Sequence, residues 1–417
     1  MRIVYVSQYF PPEMGAPSAR VYEMSREWVR AGHDVTVVTA FPHHPTGIKR
    51  PKDRRVLTRR EVVDGIEVIR TYVWAAANKG TLKRMASYTS FLVSAATIGR
   101  MRIRKPDVVV ATSPQLFAGV AGWMLARTLR VPFVFEVRDL WPESILAVDA
   151  MKENFVIRGL KRVARNLYRR SDHIVTVGDG YRRKIHELYG TPLEKMEVIP
   201  NGIDPDLFRP REKNSSLREE YNWGDRFVSL YLGTHGMAHA LSHVLETAER
   251  LRDDPRFLFA FVGEGAEKEA LKTLAEERNL KNVQFIDQQA KERVPDFYAA
   301  CDLGLVTLRD TPLFQEVLPS KIFEYQGMAR PIVIAVGGEA RRIVEDSGCG
   351  EYVPPENSEA MANTIRRLAS DSSRLGAMGR SGRDWVLQNH NRTRLAERYV
   401  DVLQSVIDAR APKRQRG

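Results

Sequence analysis

The chain predicts an α/β protein of two facing, Rossmann-like, doubly wound domains, and three observations carry the prediction. Its 417 residues exceed the roughly 250 to 300 at which single hydrophobic cores stop growing. Apolar strand-like runs alternate with amphipathic helical stretches over most of the length, the habit of a parallel sheet covered on both faces. Near the middle, Pro200-Asn201-Gly202 and then Asp204-Pro205-Asp206 form a dense cluster of turn formers that interrupts the alternation. The expected boundaries are 1–203 for the first domain, 204–390 for the second, and 391–417 for a C-terminal helix that crosses back to the first domain and ends in a basic tail.

In the first half the strand-like runs are Arg2–Val6, Asp34–Thr39, Glu67–Tyr72, Asp107–Ala111, Phe133–Val137, His173–Val177 and Lys195–Ile199, with helical patterns between most of them. The pattern restarts with Phe227–Leu232, Phe257–Val262, Val283–Ile286, Leu303–Thr307 and Pro331–Ala335, each followed by a helical segment. Beyond Ser358 the sequence is helical with no strand signal. The last helix spans about Arg392–Ala409, before a tail containing Lys413, Arg414 and Arg416 that is expected to be disordered.

Composition narrows the function classes. The chain is 43% hydrophobic and 28% charged, which suits an ordinary globular protein and excludes collagen, coiled coil and bulk disorder. Two cysteines, Cys301 in an apolar run and Cys349 between glycines, fit a reducing, cytoplasmic compartment better than a disulfide scaffold. The opening MRIVYVSQYF lacks the architecture of a signal peptide, and no apolar run approaches the about 18 residues that span a bilayer. A formal charge of +12 calls for an anionic partner. Lys49 to Arg60 holds seven basic residues against one acid, and Ile157 to Arg170 six against none. In the second cluster Arg158, Lys161, Arg162, Arg165 and Arg169 recur at helical spacing beside an apolar stripe of Val156, Leu160, Val163 and Leu167. Such a helix can lie on an anionic membrane surface, or it can simply bury one face in its own domain and solvate the other. Nucleic acid is disfavoured, because no zinc spacing, aromatic RNA motif or helix-turn-helix signature accompanies the charge.

In open α/β sheets ligands sit beyond the carboxyl ends of strands, so candidate site residues are sought there. After the first strand, Pro11-Pro12-Glu13-Met14-Gly15-Ala16-Pro17 leads into a helix with Arg20, a small-residue loop that a phosphate or sugar could approach. Glu136-Val137-Arg138-Asp139-Leu140-Trp141-Pro142-Glu143 crowds charges where a buried strand leaves its sheet; an ion pair of Arg138 with Asp139 or Glu143 could shape the loop, and Asp139 is the leading candidate for a substrate hydroxyl. Gly233 and Gly236, and Gly263 with Gly265, lack the G-x-G-x-x-G spacing of a dinucleotide fingerprint, which disfavours a nicotinamide dehydrogenase.

The most informative stretch is Glu316 to Tyr325. Pro319 suits the first turn of a helix continuing through Met328, and helix N-termini attract anions. Backbone N–H groups near Ser320 and Lys321, with the Lys321 ammonium, could hold a pyrophosphate. Glu316 just before the helix and Glu324 within it could then accept hydrogen bonds from hydroxyls at both ends of a sugar nucleotide. Asp204-Pro205-Asp206 imitates a D-x-D metal motif but reads as a turn, and His43 and His44 have no third ligand at recognisable spacing, so no metal is expected.

These residues resemble the family-4 retaining glycosyltransferases of the two-Rossmann GT-B architecture, over essentially the whole chain. The likeness rests on the P-P-x-x-G loop with Arg20, EVRDLWPES at 136–144, IPNGID at 199–204, YLGTHG at 231–236, VGEGAE at 262–267 and EVLPSKIFEYQGMARPIV at 316–333. It is strongest toward bacterial O-antigen and capsule enzymes of the fucosamine transferase type, which use UDP-linked N-acetylated or amino sugars. The resemblance implies that Glu324 accepts from ribose hydroxyls and Glu316 from the donor sugar, that Ser320 and Lys321 meet the pyrophosphate, that Gly15 lets its loop close over the donor, and that Asp139 faces the reacting sugar. Gly236 joins the donor-binding set through its motif.

It further implies metal-independent catalysis with no cofactor beyond the UDP-sugar co-substrate, an undecaprenyl-diphosphate-linked acceptor, and a peripheral position on the inner face of the plasma membrane. Two departures stand out. Many relatives place an Arg and a Lys where this chain has His235 and His239, so Lys321 and Arg309 are taken as substitutes, and relatives often carry Gly-Gly at Gly15-Ala16. A GDP-mannose donor, a soluble acceptor, or a non-enzymatic protein binding membranes or polyanions are the competing readings.

Overall fold

Each of the strand-like runs named above lies in one of two sheets, displaced by at most a residue or so at either end. The computed structural model describes residues 1–13, 15–43, 47–75, 81–148, 152–212 and 215–410, so His44 and the tail with Lys413, Arg414 and Arg416 lie outside the described residues. The chain divides into two units, residues 1–200 together with the chain from Arg392 onward, and Asn201–Asn391.

The first unit is built on β1 (Arg2–Val6), β2 (Asp34–Ala40), β3 (Thr58–Val63), β4 (Ile66–Thr71), β5 (Val108–Thr112), β6 (Phe133–Val137), β7 (His173–Thr176) and β8 (Met196–Val198), in the order β3-β4-β2-β1-β5-β6-β7-β8. All neighbours are parallel except β3 and β4. β1, β5 and β6 read as continuous apolar runs because both faces of the sheet are covered by helices, and their residues are almost wholly buried. The antiparallel β3 was not expected from the sequence. Its TRREVV sets exposed Arg60 and Val62 between half-buried Arg59, Glu61 and Val63 at the sheet edge, and the basic cluster that overlaps its first half masks the two-residue period. Those charges are locally paired: Arg60 lies 3.2 Å from Glu67, and Arg59 lies 2.6 Å from Asp53.

The helix Arg392–Arg410 belongs to this first unit. It packs on the helix Ala16–Arg30, where the Trp28 indole donates to the Ala396 carbonyl at 3.2 Å and meets the Tyr399 ring edge-on at 5.2 Å. Trp28 and Tyr399 are fully buried. Each such side chain contributes about 2–3 kcal/mol of burial, which fixes the last helix to the first strands despite their separation in sequence.

The second unit carries β9 (Phe227–Leu232), β10 (Phe257–Val262), β11 (Val283–Ile286), β12 (Leu303–Thr307), β13 (Ile332–Ala335) and β14 (Gly350–Tyr352), all parallel, in the order β11-β10-β9-β12-β13-β14. The short β14 also escaped the sequence reading, since three half-buried residues at an edge leave no periodic signal. Strand order reverses between β9 and β12. Their carboxyl ends therefore diverge into opposite crossovers and open a crevice between them, the place where doubly wound sheets take ligands. No helix among the described residues is long and apolar enough to cross a membrane.

Candidate functional site

In the second unit, β9 ends in Gly233-Thr234-His235-Gly236 and a single 3-10 turn, Met237–His239. β12 ends in Leu308-Arg309, and the two loops are stitched together: the Arg309 N–H donates to the Ala238 carbonyl at 2.9 Å and the Thr307 hydroxyl to the His239 carbonyl at 2.7 Å. The loop after β10 closes on the other side. The His235 N–H donates to the Glu264 carbonyl at 2.9 Å, and the Glu267 N–H to the His235 carbonyl at 3.0 Å.

This contact is the reason for the glycines that failed the dinucleotide spacing. A Cβ on Gly265 would stand 2.1 Å from the His235 carbonyl oxygen, and one on Gly263 would stand 1.9 Å from that of Gly233. Only backbone fits there.

After β12 the chain makes a 3-10 turn, Phe314–Glu316, and then the helix Lys321–Gly327. The helix is shorter than the sequence suggested: it starts after Pro319, with Ser320 at the cap position making no side-chain cap bond, and ends before Met328. Seven residues give a small axial dipole, so attraction for an anion falls mainly on side chains.

Those side chains gather around one ring. The Lys321 Nζ lies 3.7 Å from the centroid of Tyr231, and the imidazoles of His235 and His239 each lie 5.9 Å from it. Nζ of Lys321, both ring nitrogens of His235 and Nδ1 of His239 are buried without a hydrogen-bond partner. Native proteins leave only a few such atoms per hundred residues, and four gathered near a strand-order reversal suit a ligand rich in acceptor oxygens.

Electrostatics agree with the geometry. Burial pushes Lys321 down to about 7, against a smaller pull upward from Glu324. Burial, then Lys268, Lys321 and Lys272, push His235 down to about 4. Burial and then Lys321 push His239 down to about 3. At neutral pH the imidazoles are uncharged and the amine is about half protonated, a set that is costly when empty and gains its protons' worth when an anion arrives.

The remaining donor-side candidates flank this cluster. Glu316 closes the 3-10 turn, with its N–H donating to the Leu313 carbonyl at 3.1 Å, and the turn is pinned by Gly338, whose added Cβ would stand 1.8 Å from the Gln315 carbonyl oxygen. Glu324 is half-buried on the helix, and its Oε2 accepts a hydrogen bond from the Tyr298 hydroxyl at 2.6 Å. Gly236, Arg309, Glu316, Ser320, Lys321 and Glu324 thus all sit on the loops and helix that leave β9 and β12. Sequence reasoning noted His235 and His239 only as departures and missed Tyr231 and Tyr298, whose roles arise from contacts between elements far apart in the chain.

The first unit places its candidates beyond β1 and β6. Gly15 has φ +123°, a region that favours glycine, and caps the helix Ala16–Arg30. Arg20, on that helix, is buried and committed, its Nε 3.1 Å from Glu136 and its two amino groups donating to Pro200 and Ile199 carbonyls at 2.9 and 2.8 Å. Glu136 also accepts from the Tyr5 and Thr112 hydroxyls, and Arg20 with Arg138 holds its carboxyl below the usual range despite burial. This pair shapes the strand ends and leaves nothing for a phosphate.

The alternative reading, an ion pair of Arg138 with Asp139 or Glu143, does not hold, since each of the three has other partners. Arg138 donates to the Ala16 carbonyl at 2.8 Å and keeps two buried nitrogens without partners, while Glu143 accepts from the Tyr189 hydroxyl at 2.5 Å. Asp139 accepts from the Ser144 hydroxyl, and burial pushes its carboxyl pKa up, only partly offset by that bond. The turn carrying Arg138 and Asp139 is held by Ser113, which accepts from both backbone N–H groups at 2.8 and 3.2 Å.

Arg158, Lys161, Arg162 and Arg165 lie on the helix Phe155–Arg170, capped by the Asn154 side chain. Its buried face is Ile157, Leu160, Ala164, Leu167 and Tyr168, so the stripe is rotated from the one read in the sequence, and Val156 and Val163 are half-buried at its margin. Arg158, Arg162 and Arg165 are exposed, and Lys161 lies 2.8 Å from Glu153. Phe155, at the head of this basic face, is 78% exposed. The Asp204 motif is a turn: its carboxylate accepts from the Asp206 and Leu207 N–H groups at 3.0 and 3.2 Å.

Two family profiles match the chain, a glycosyl transferase 4-like domain over residues 15–202 and glycosyl transferases group 1 over residues 213–385. The chain is 27% identical over 387 residues to the putative colanic acid biosynthesis glycosyl transferase WcaI of Escherichia coli K12, covering 88% of this chain and 92% of that one. It is 27% identical over 257 residues to a GDP-mannose-dependent alpha-(1-6)-phosphatidylinositol monomannoside mannosyltransferase of Mycolicibacterium smegmatis, covering 60% and 67% of the two chains. Among solved structures, Anabaena HepE in complex with UDP-glucose superimposes with a TM-score of 0.74 at 18% identity, over 97% of this chain and all of that one, a likeness of fold.

Proposed function

We propose that this chain, a glycosyltransferase composed of a glycosyl transferase 4-like domain and a glycosyl transferases group 1 domain, moves a sugar from a nucleotide diphosphate donor to a lipid-linked saccharide in the building of a bacterial surface polysaccharide. The observation that carries the reading is the cluster of unpartnered, buried nitrogens of Lys321, His235 and His239 at the β9–β12 reversal, flanked by Glu316 and Glu324. Such a set suits a pyrophosphate with hydroxylated groups on either side of it.

Lys321 supplies the charge, the imidazoles donate or take up protons, Glu324 accepts from the ribose and Glu316 from the donor sugar. Gly236, Arg309 and Ser320 line the phosphate path through their loops. In the first unit Gly15 shapes the loop after β1 and Asp139 takes a substrate hydroxyl. Configuration is retained by attack on the face the leaving phosphate departs from, with that phosphate accepting the acceptor's proton, so no protein nucleophile is required. The donor is a UDP-sugar with an N-acetylated or amino group. The likeness to a GDP-mannose-dependent enzyme favours GDP-mannose as the second reading.

Thermal shift with UDP-glucose, UDP-N-acetylglucosamine and GDP-mannose separates these, followed by slow hydrolysis of whichever binds. Stabilisation by at least one, lost in Lys321→Met, with hydrolysis lost in Glu316→Ala, is the expected result; no shift with any of them, and no hydrolysis, would defeat the enzyme reading.

The acceptor side rests on the helix Phe155–Arg170, with its exposed arginines headed by the exposed Phe155, an arrangement suited to the headgroup region of an anionic bilayer on the cytoplasmic side. Each basic residue near such a surface contributes about 1 kcal/mol. Replacing Arg158, Arg162 and Arg165 together by Glu is therefore expected to abolish co-sedimentation with phosphatidylglycerol vesicles while donor binding stays unchanged. Equal sedimentation of both proteins, or none by the wild type, would remove the membrane from the account.

A further inference from the structure

We infer that Tyr298 is a positioning residue for the donor nucleotide: its hydroxyl orients the Glu324 carboxylate, and through it the chain's preference for a nucleotide bearing ribose hydroxyls. The inference rests on the reading of Glu324 as the acceptor for those hydroxyls. A Glu carboxylate rotates about a soft terminal torsion with no preferred well, so a half-buried Glu324 needs a partner to present a fixed lone pair. Tyr298 provides one: its hydroxyl donates to Oε2 of Glu324 at 2.6 Å, across 26 positions of sequence.

The phenol is itself immobile. Tyr298 sits on the helix Val294–Ala300, fully buried, with its ring edge-on to Tyr325 at 4.6 Å and tilted against Phe208 at 6.2 Å. Tyr325 is held in turn by its hydroxyl bond to the Leu230 carbonyl of β9 at 2.5 Å, and by Gly304 of β12, where a Cβ would stand 2.6 Å from the ring. Glu324 and Tyr325 are adjacent on the helix Lys321–Gly327, so one aromatic ring locks the helix while its hydroxyl aims the carboxylate beside it. Burial, and then Glu324, push the Tyr298 phenol pKa well up, so it remains a donor at every working pH. A buried tyrosine needed only for packing would be served by Phe; the charge-assisted bond is the added function.

The test compares binding of UDP or GDP, whichever the wild type takes, with binding of its 2′,3′-dideoxy analogue, by calorimetry on the full chain. Wild type is expected to prefer the ribonucleotide by about 20-fold or more, the range of a hydrogen bond to a charged group. Tyr298→Phe, which keeps the ring contacts, is expected to reduce that preference to within about threefold, and to raise KM for the donor while kcat at saturation is held. Glu324→Gln and the double variant Tyr298→Phe/Glu324→Gln are expected to coincide, because the phenol acts through the carboxylate.

The double variant also removes the charge, so it keeps the comparison available if Tyr298→Phe alone folds poorly. A full preference retained in Tyr298→Phe, or a double variant clearly weaker than Glu324→Gln, overturns the inference and leaves Tyr298 as packing. A wild type with no preference, unaltered in Glu324→Gln, overturns the ribose reading of Glu324 itself and the inference with it.

Discussion

Lys321→Met is expected to weaken donor binding about 100-fold while making the unliganded protein more stable, by at least about 1 kcal/mol at pH 6. Both effects have one cause. The amine is driven from its ordinary 10.5 to about 7 because burial strips its water and only Glu324 compensates. Such a displacement corresponds to an upper bound of about 5 kcal/mol against the ammonium. Between pH 7 and 10.5 the unfolded chain holds a proton on this lysine that the folded chain releases, so stability rises with pH across that window. Below about 7 both states are protonated and the folded protein carries the whole penalty. Methionine fills similar space without the charge, so the gain in melting temperature over wild type should be largest at pH 6 and shrink toward pH 10.

Donor binding should show the mirror image. The anion prefers the protonated amine, which exists before binding only at pH below about 7. Above that, binding must draw a proton from solvent, and Kd should rise about tenfold per pH unit until the bound-state pKa is passed. In Lys321→Met this dependence should be absent. Calorimetry with UDP-glucose or GDP-mannose in two buffers of different ionisation enthalpy reads proton uptake directly. Uptake near one proton at pH 8 in wild type and none in the variant is expected; a pH-independent Kd in wild type contradicts the role given to Lys321.

Glu316→Gln is expected to lower kcat about 100-fold with UDP or GDP affinity within about twofold, whereas Glu324→Gln should weaken the nucleotide about tenfold or more. The division follows from where the two carboxylates are held. Glu316 ends a 3-10 turn pinned by Gly338 against Gln315, a rigid mount for a group that must meet a sugar as charge develops on it. Glu324 sits on the helix beside Lys321, aimed by Tyr298, and suits the ground-state grip of a ribose. Steady-state kinetics and nucleotide binding on both variants separate the two roles, and equal losses of UDP or GDP affinity would contradict the assignment.

Much of this was legible in the linear chain. Two doubly wound domains followed from apolar runs alternating with amphipathic stretches, because strands covered on both faces must be apolar throughout. The position of Glu316, Ser320, Lys321 and Glu324 after a strand followed from the rule that ligands lie beyond carboxyl ends. The edge strands β3 and β14 were not legible, because exposed edges carry charge or too few residues to show a period. The pairing of Arg20 with Glu136 was not legible either, because the two residues meet across 116 positions of sequence.

By itself, then, the sequence determined the fold class, the region of the candidate donor site and the residue types available there, since these depend on local periodicity and on chemistry carried by single side chains. Only the tertiary structure decided which of those groups are charged, paired or aimed. Lys321 becomes a titrating amine because Tyr231, His235 and His239 surround it, and Glu324 becomes an oriented acceptor because Tyr298 reaches it. Desolvation and hydrogen-bond direction are properties of neighbours in space, and no spacing along the chain encodes them.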